Sequence, residues 1–149
     1  MSEDQVEQVR LAVDAVNRHD LPTVEEMASE KFEFYSTFAA TEGRAFRGRN
    51  GVRDYFDALD EVFDDMWIEI EEITDAGEDR IVVVVRVIGR GKGSGVNVEQ
   101  RNGQVWRFAD RKIVRIDSYL NPTDAFDAVG VGRDRSTPDD KRAQARRCV

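Results

Sequence analysis

The chain has 149 residues, of which 40% are hydrophobic and 35% charged, and this composition fits a single globular domain. Its formal net charge of -8 argues against a broad nucleic-acid surface, because phosphate binding needs clustered cations. The sequence contains no apolar run of about 18 residues and no N-terminal basic-then-apolar segment, so we expect no membrane span, no secretory signal and a cytoplasmic location.

Three amphipathic helices are predicted in the first half of the chain. Residues 4–18 place valines at helical spacing. Asp20 is predicted to cap a second, short helix, because an Asp side chain can accept from the free N–H groups of the first turn. Pro22 is tolerated in that first turn. After a strand at residues 31–38 and a polar loop, Asn50 is predicted to cap the third helix. The apolar side of that helix comprises Val52, Tyr55, Phe56, Leu59, Phe63 and Met66.

From residue 67 onward the apolar period becomes two, which is typical of strands. Four strands are predicted at residues 67–74, 80–90, 96–108 and 112–120, joined by short turns, and a closing helix at residues 124–129. Helices followed by a strand meander indicate an α+β fold in which the helices cover one face of the sheet. A sheet that curls around its helices leaves a concavity in which a small ligand can bind.

The last segment differs from the rest. Residues 133–147 contain six Lys or Arg and three Asp but few large apolar groups. We therefore expect one domain at residues 1–132 and a basic, disordered tail at 133–149. The single cysteine, Cys148, has no internal partner for a disulfide.

Four segments occur in a characteristic order: NRHDLPTVEEM, FEFYS, RGRNGVRDYFDAL and VWRFADRKIVRIDSYLNPTDAFDAVGV. With this set the chain resembles the SnoaL-like branch of the NTF2-like superfamily over residues 5–131. The resemblance implies a cone-shaped, cystatin-like α+β barrel with three N-terminal helices against a curved, mainly antiparallel sheet. It also implies a homodimer formed through the outer sheet face. The superfamily includes isomerases, polyketide cyclases, epoxide hydrolases and non-catalytic binding or adaptor domains, so the fold alone assigns no function.

The positions that carry catalysis in these relatives hold other residues here. Alignment places Ser36 where the steroid isomerases have their general base, Ala12 at their oxyanion tyrosine and Gln104 at their protonated acid. A hydroxyl without an adjacent base cannot abstract a carbon-bound proton, and a positioned base contributes roughly 10²–10⁴ in rate. In the cyclase and hydrolase relatives the last strand carries a carboxylate. Ser118 takes that inward position, and Asp117 is expected to face outward.

The penultimate predicted strand, at residues 96–108, carries an unusual polar stripe. If Gln104 faces inward, alternation puts Gln100, Asn102 and Trp106 on the same face. Three amides in a dry core would each need partners, so the stripe indicates either a wet pocket or a partly solvated strand. Arg86 is expected to face outward, where Glu69 and Glu99 are available as ion-pair partners.

We therefore expect an internal pocket for a small, largely apolar molecule. The residues expected to contact it are Ser36, Gln104, Ser118, Asn102, Trp106, Trp67, Tyr55 and Phe34. His19 is interpreted as a surface turn residue, GRGKGSG lacks the order of a phosphate-binding loop, and neither a metal cluster nor a cofactor motif is apparent. The alternatives are an enzyme that uses a cavity-facing Asp117 or Glu99, or a protein-binding adaptor with a filled cone.

Overall fold

The computed structural model describes residues 2–36 and 45–130. Within them lie, in chain order, α1 (Ser2–Asn17), α2 (Leu21–Met27), β1 (Ala28–Tyr35), β2 (Phe46–Arg47), α3 (Gly48–Val62), β3 (Phe63–Gly77), β4 (Arg80–Gly91), β5 (Asn97–Ala109), β6 (Lys112–Tyr119) and α4 (Pro122–Ala128). The predicted α+β class is confirmed. The expected tail at residues 133–149 and the end of the predicted strand at 31–38 lie outside the described residues.

The strands form one curved, open sheet in the order β2-β1-β6-β5-β4-β3. All neighbours are antiparallel except β1 and β6, which run parallel. No helix within the described ranges is long and apolar enough to cross a bilayer.

The alternation of valines in β4 creates two cores, one on each face of the sheet. Val83 and Val85 pack with α1, α3 and the other inward-facing strand residues. Val82 and Val84 instead pack with Val105 under α4. Each face therefore has its own helical cover, and the inner core is the larger one.

Local signals explain most element boundaries. Asp20 caps α2 as predicted, and its side chain accepts a hydrogen bond from the backbone N–H of Thr23. Asn121 caps α4 in the same way, through the N–H of Thr123.

Two sequence predictions about the third helix are wrong. Asn50 is not its cap, because the helix begins at Gly48 and no side chain caps it. Gly48 has a φ of 69°, a conformation that glycine adopts readily, and it makes the turn from β2 into α3. Phe63 and Met66 belong to β3, which begins directly where α3 ends, and β2 was not predicted at all.

Candidate functional site

A cavity of about 60 Å³ lies between α1, α2, α3 and the inner face of the sheet. Its wall is formed by Ala12, Val13, Val16, Val24, Ala28, Phe32, Phe34, Val52, Tyr55, Ile68, Gln104, Trp106, Ile113 and Ile116. These described lining residues include no Asp, Glu, His, Lys or Arg. The described wall is therefore largely apolar and uncharged, with the amide of Gln104, the hydroxyl of Tyr55 and the indole N–H of Trp106 as its polar side-chain groups.

Periodicity and one irregularity place the wall residues. Alternation in β5 turns Gln104 and Trp106 inward and leaves Val105 in the outer core. In β6 both Ile113 and Ile116 face the cavity, although strict alternation would put them on opposite faces. The pairing of β5 with β6 shifts register at this point, and such a bulge turns one extra residue of the strand.

The Gln104 amide has partners on both sides. Trp106 Nε1 donates to Gln104 Oε1 at 2.9 Å. Gln104 Nε2 lies 3.5 Å from Ser118 Oγ, at the long limit of a hydrogen bond. Gln104 and Ser118 are direct cross-strand partners, and Ser36 follows the pairing of Tyr35 with Asp117. The register thus brings Ser36, Ser118 and Gln104 to the same level of β1, β6 and β5.

Tyr55 packs on aromatic neighbours at the cavity wall. Its ring lies 4.7 Å from that of Phe34 and 5.6 Å from that of Phe46, in edge-to-face geometry. Burial raises the pKa of the Tyr55 phenol, because the charged phenolate would be poorly solvated. The phenol therefore stays neutral near physiological pH.

The charged residues that were candidates for catalysis lie on the other face of the sheet. Arg115 donates to Asp117 at 2.8 Å, which confirms the outward direction of Asp117. Arg86 donates to Glu99 and to Glu69, each at 3.0 Å, which confirms the predicted cross-strand pairs. Neither Asp117 nor Glu99 is in the cavity wall, so the structure does not supply the cavity carboxylate that the enzyme alternative requires.

A family comparison agrees with this architecture. A model of the SnoaL-like domain matches residues 9–116, which is well over half of the chain. The chain belongs to the SnoaL-like domain family. No curated protein matches the chain significantly.

Solved structures show the same fold. An NTF2-like protein of unknown function from Burkholderia pseudomallei has a TM-score of 0.70 and 18% identity, covering 86% of this chain and 98% of that one. A putative SnoaL-like polyketide cyclase from Jannaschia has a TM-score of 0.67 and 19% identity, with 88% and 94% coverage. A Mycobacterium tuberculosis protein, in complex with estradiol-17beta-hemisuccinate, has a TM-score of 0.68 and 17% identity, with 79% and 94% coverage.

In this SnoaL-like domain, the residues selected from the sequence are not all at the cavity. Four of them line it, namely Phe34, Tyr55, Gln104 and Trp106. Ser118 lies beside Gln104, Ser36 is 3% exposed next to the cavity strand β1, and Asn102 is 2% exposed further along β5. Trp67 is 52% exposed and borders a separate, open depression at the surface.

The apolar wall of α1 and β6 was not among the predicted contacts. Val13 and Val16 were visible as part of a helical stripe, and that stripe was a usable signal because it faces the sheet. Ile113 gave no such signal, since its direction depends on the bulge in β6.

The remaining polar candidates have ordinary surroundings. His19 is in the turn after α1, 3.5 Å from Asp60, with both side chains more than half exposed, as predicted for a surface turn. In the described part of the chain no group of three His, Cys, Asp or Glu residues is arranged to hold a metal ion.

Proposed function

We propose that this SnoaL-like domain binds a small, largely apolar, uncharged molecule in the cavity, without proton transfer by the acids that catalytic relatives use. The observation that carries the proposal is the described cavity wall, which is apolar except for neutral polar groups at Gln104, Tyr55 and Trp106. Sites for small molecules commonly combine an apolar lining with a few placed polar groups. The complex of the Mycobacterium tuberculosis protein with a steroid ester is consistent with an apolar ligand in this fold.

The polar groups favour binding over acid-base catalysis. An amide is neither a useful acid nor a useful base near neutral pH, and the raised pKa of Tyr55 keeps its phenol from acting as a base. Asp117 and Glu99 are held by arginines on the outer face. The wall can therefore orient a ligand, but it offers no described group that would abstract a proton from carbon.

The volume of the cavity limits what enters without movement. About 60 Å³ accommodates roughly two water molecules, whereas pockets for drug-sized ligands measure about 300–1,000 Å³. The wall contributed by α2 is the easiest to displace, because this seven-residue helix has no buried residue and reaches the cavity only through Val24. If α2 does not move, the small volume favours the adaptor alternative.

A cavity-filling variant tests the proposal. Ala12 lies on α1 at the cavity wall and is 3% exposed, so Ala12→Leu extends a side chain into the space. A library of small neutral compounds would be screened by ligand-observed NMR against the wild type, Ala12→Leu and the matched surface variant Arg10→Leu, which changes an exposed position of the same helix. We expect hits that bind the wild type and Arg10→Leu but not Ala12→Leu. Hits that bind all three equally would place binding outside the cavity, and no hits would contradict the proposal.

We also propose that the protein forms a homodimer through the outer sheet face and acts in the cytoplasm. The exposed Trp67 supports such an interface, since it lies beside the Arg86–Glu69 ion pair, and large exposed aromatics are enriched where proteins associate. Sedimentation should show a dimer, and Trp67→Glu should shift it toward monomer. A wild-type monomer at all concentrations would exclude this interface.

A further inference from the structure

The Gln104 amide is held in one orientation by the indole of Trp106. Trp106 is 4% exposed, and its Nε1 lies 2.9 Å from Gln104 Oε1. An indole N–H only donates, so the amide atom that faces it must be the oxygen. The carbonyl oxygen of Gln104 therefore faces the indole, and the NH₂ group lies on the other branch of the amide.

That NH₂ group retains a free donor. Its contact with Ser118 Oγ is 3.5 Å long and therefore weak. A primary amide nitrogen carries two hydrogens, and Ser118 engages at most one of them. Since Gln104 lines the cavity, the second N–H is available to a ligand there.

The hydroxyl of Tyr55 is the second donor. It has no hydrogen-bond partner among residues 2–36 and 45–130, and edge contacts with Phe34 and Phe46 hold its ring in place. Its proton is retained because burial raises the phenol pKa. A hydroxyl also accepts, and the oxygen of Gln104 keeps a second lone pair, but the Gln104 NH₂ group can only donate, so a ligand group that meets it must be an acceptor.

We infer that the cavity selects a neutral ligand with a hydrogen-bond acceptor, such as a ketone or quinone carbonyl, which receives hydrogen bonds from Gln104 Nε2 and the Tyr55 hydroxyl. This inference rests on the proposed function. An ammonium group would be buried beside no described anion, and a carboxylate beside no described cation, so both classes are disfavoured. Trp106 is then a positioning residue, because it fixes which end of the amide faces the ligand.

Matched probes separate acceptor recognition from simple burial. Cyclopentanone, methylenecyclopentane and cyclopentylamine have similar shapes but carry an acceptor, no polar group and an ammonium, respectively. Binding would be titrated by ligand-observed NMR to the wild type, Tyr55→Phe and Gln104→Leu. The hydration of each probe cancels when variants are compared with the wild type, so the change in affinity reports the protein contacts.

Each variant should weaken cyclopentanone about three- to tenfold, the value of one net hydrogen bond, and should leave methylenecyclopentane within about twofold. Trp106→Phe keeps an aromatic wall but frees the amide, and it should weaken the ketone selectively as well. Circular dichroism would verify that each variant is folded. If Gln104→Leu does not fold, Tyr55→Phe alone is a sufficient test.

The possible outcomes distinguish this inference from the proposed function. Equal losses for the ketone and the hydrocarbon, or wild-type binding of the amine as tight as that of the ketone, would overturn acceptor selection while leaving cavity binding intact. If no probe binds the wild type, both this inference and the proposed function fail.

Discussion

Replacing Gln104 by leucine should destabilise the protein, even though leucine suits an apolar cavity. The variant removes the acceptor of Trp106 Nε1, an indole that is 4% exposed. A buried donor left without a partner costs about 1–3 kcal/mol. The added apolar contacts of leucine offset roughly 0.8 kcal/mol for each additional buried methylene equivalent. We therefore expect a net loss of about 1–2 kcal/mol in the free energy of unfolding.

A double-mutant cycle with Trp106→Phe isolates this hydrogen bond. Urea unfolding of the wild type, both single variants and the double variant would be followed by circular dichroism, since fluorescence would lose one of its two tryptophans. The double variant removes donor and acceptor together and should lose less stability than the two single variants combined, with a coupling of about 1 kcal/mol. Additive effects, or an unchanged urea midpoint for Gln104→Leu, would contradict a stabilising hydrogen bond between Trp106 and Gln104.

Three further variants test the fold. Phe126→Ala removes a ring of α4 that is 2% exposed and packs in the outer core, and it should cost about 3–5 kcal/mol in urea unfolding. Leu120→Ala, at a position 64% exposed, should change the free energy of unfolding by no more than about 0.5 kcal/mol, and equal effects of the two variants would contradict the outer core. Gly103→Ala would put a Cβ 2.7 Å from the backbone of α4 and should cost about 1–3 kcal/mol, and a neutral result would show that α4 is not seated there. Hydrogen bonds from Thr23 hold the pKa of Asp20 below its usual value, so Asp20 stabilises the folded state above its unfolded pKa and loses this contribution as pH falls through the lower folded pKa. Asp20→Ala should therefore melt below the wild type at neutral pH, with a gap that closes in acid; a gap that does not depend on pH would contradict the cap.

The faces of the long strands were predictable once one residue of a strand had been placed, because side chains alternate along it. Alignment with the family's catalytic positions placed Gln104 inward and Asp117 outward, and alternation then put Trp106 on the same face as Gln104. Arg86 was predictable from the acids on neighbouring strands. The Arg86 prediction needed only local pattern and charge, whereas the directions of Gln104 and Asp117 also needed the family alignment.

The junction of α3 with β3 was not predictable by the same reasoning. Phe63 and Met66 fit a helical stripe as well as a strand, because the spacing of a few apolar residues does not separate the two periods. Their membership of β3 is decided by pairing with β4, which is a contact between segments distant in sequence. The start of α3 was misplaced because Gly48 makes the turn that the polar Asn50 was expected to mark.

The cavity wall was only partly predictable for a related reason. Trp67 was selected for its aromatic character, but its strand presents it to solvent while the next residue, Ile68, lines the cavity. Ile113 faces the cavity because of a bulge in β6, and no residue type in the sequence indicates that bulge. The polar members of the site follow from alternation, whereas its apolar shape depends on tertiary packing.

The most direct test of the central claim is a crystal structure of the protein soaked with cyclopentanone or with the best hit from the compound library. The account predicts electron density for the ligand inside the cavity, with an acceptor atom within hydrogen-bond distance of Gln104 Nε2 and Val24 displaced outward. A cavity that stays closed and empty at saturating ligand, or density confined to the outer sheet face, would contradict the account.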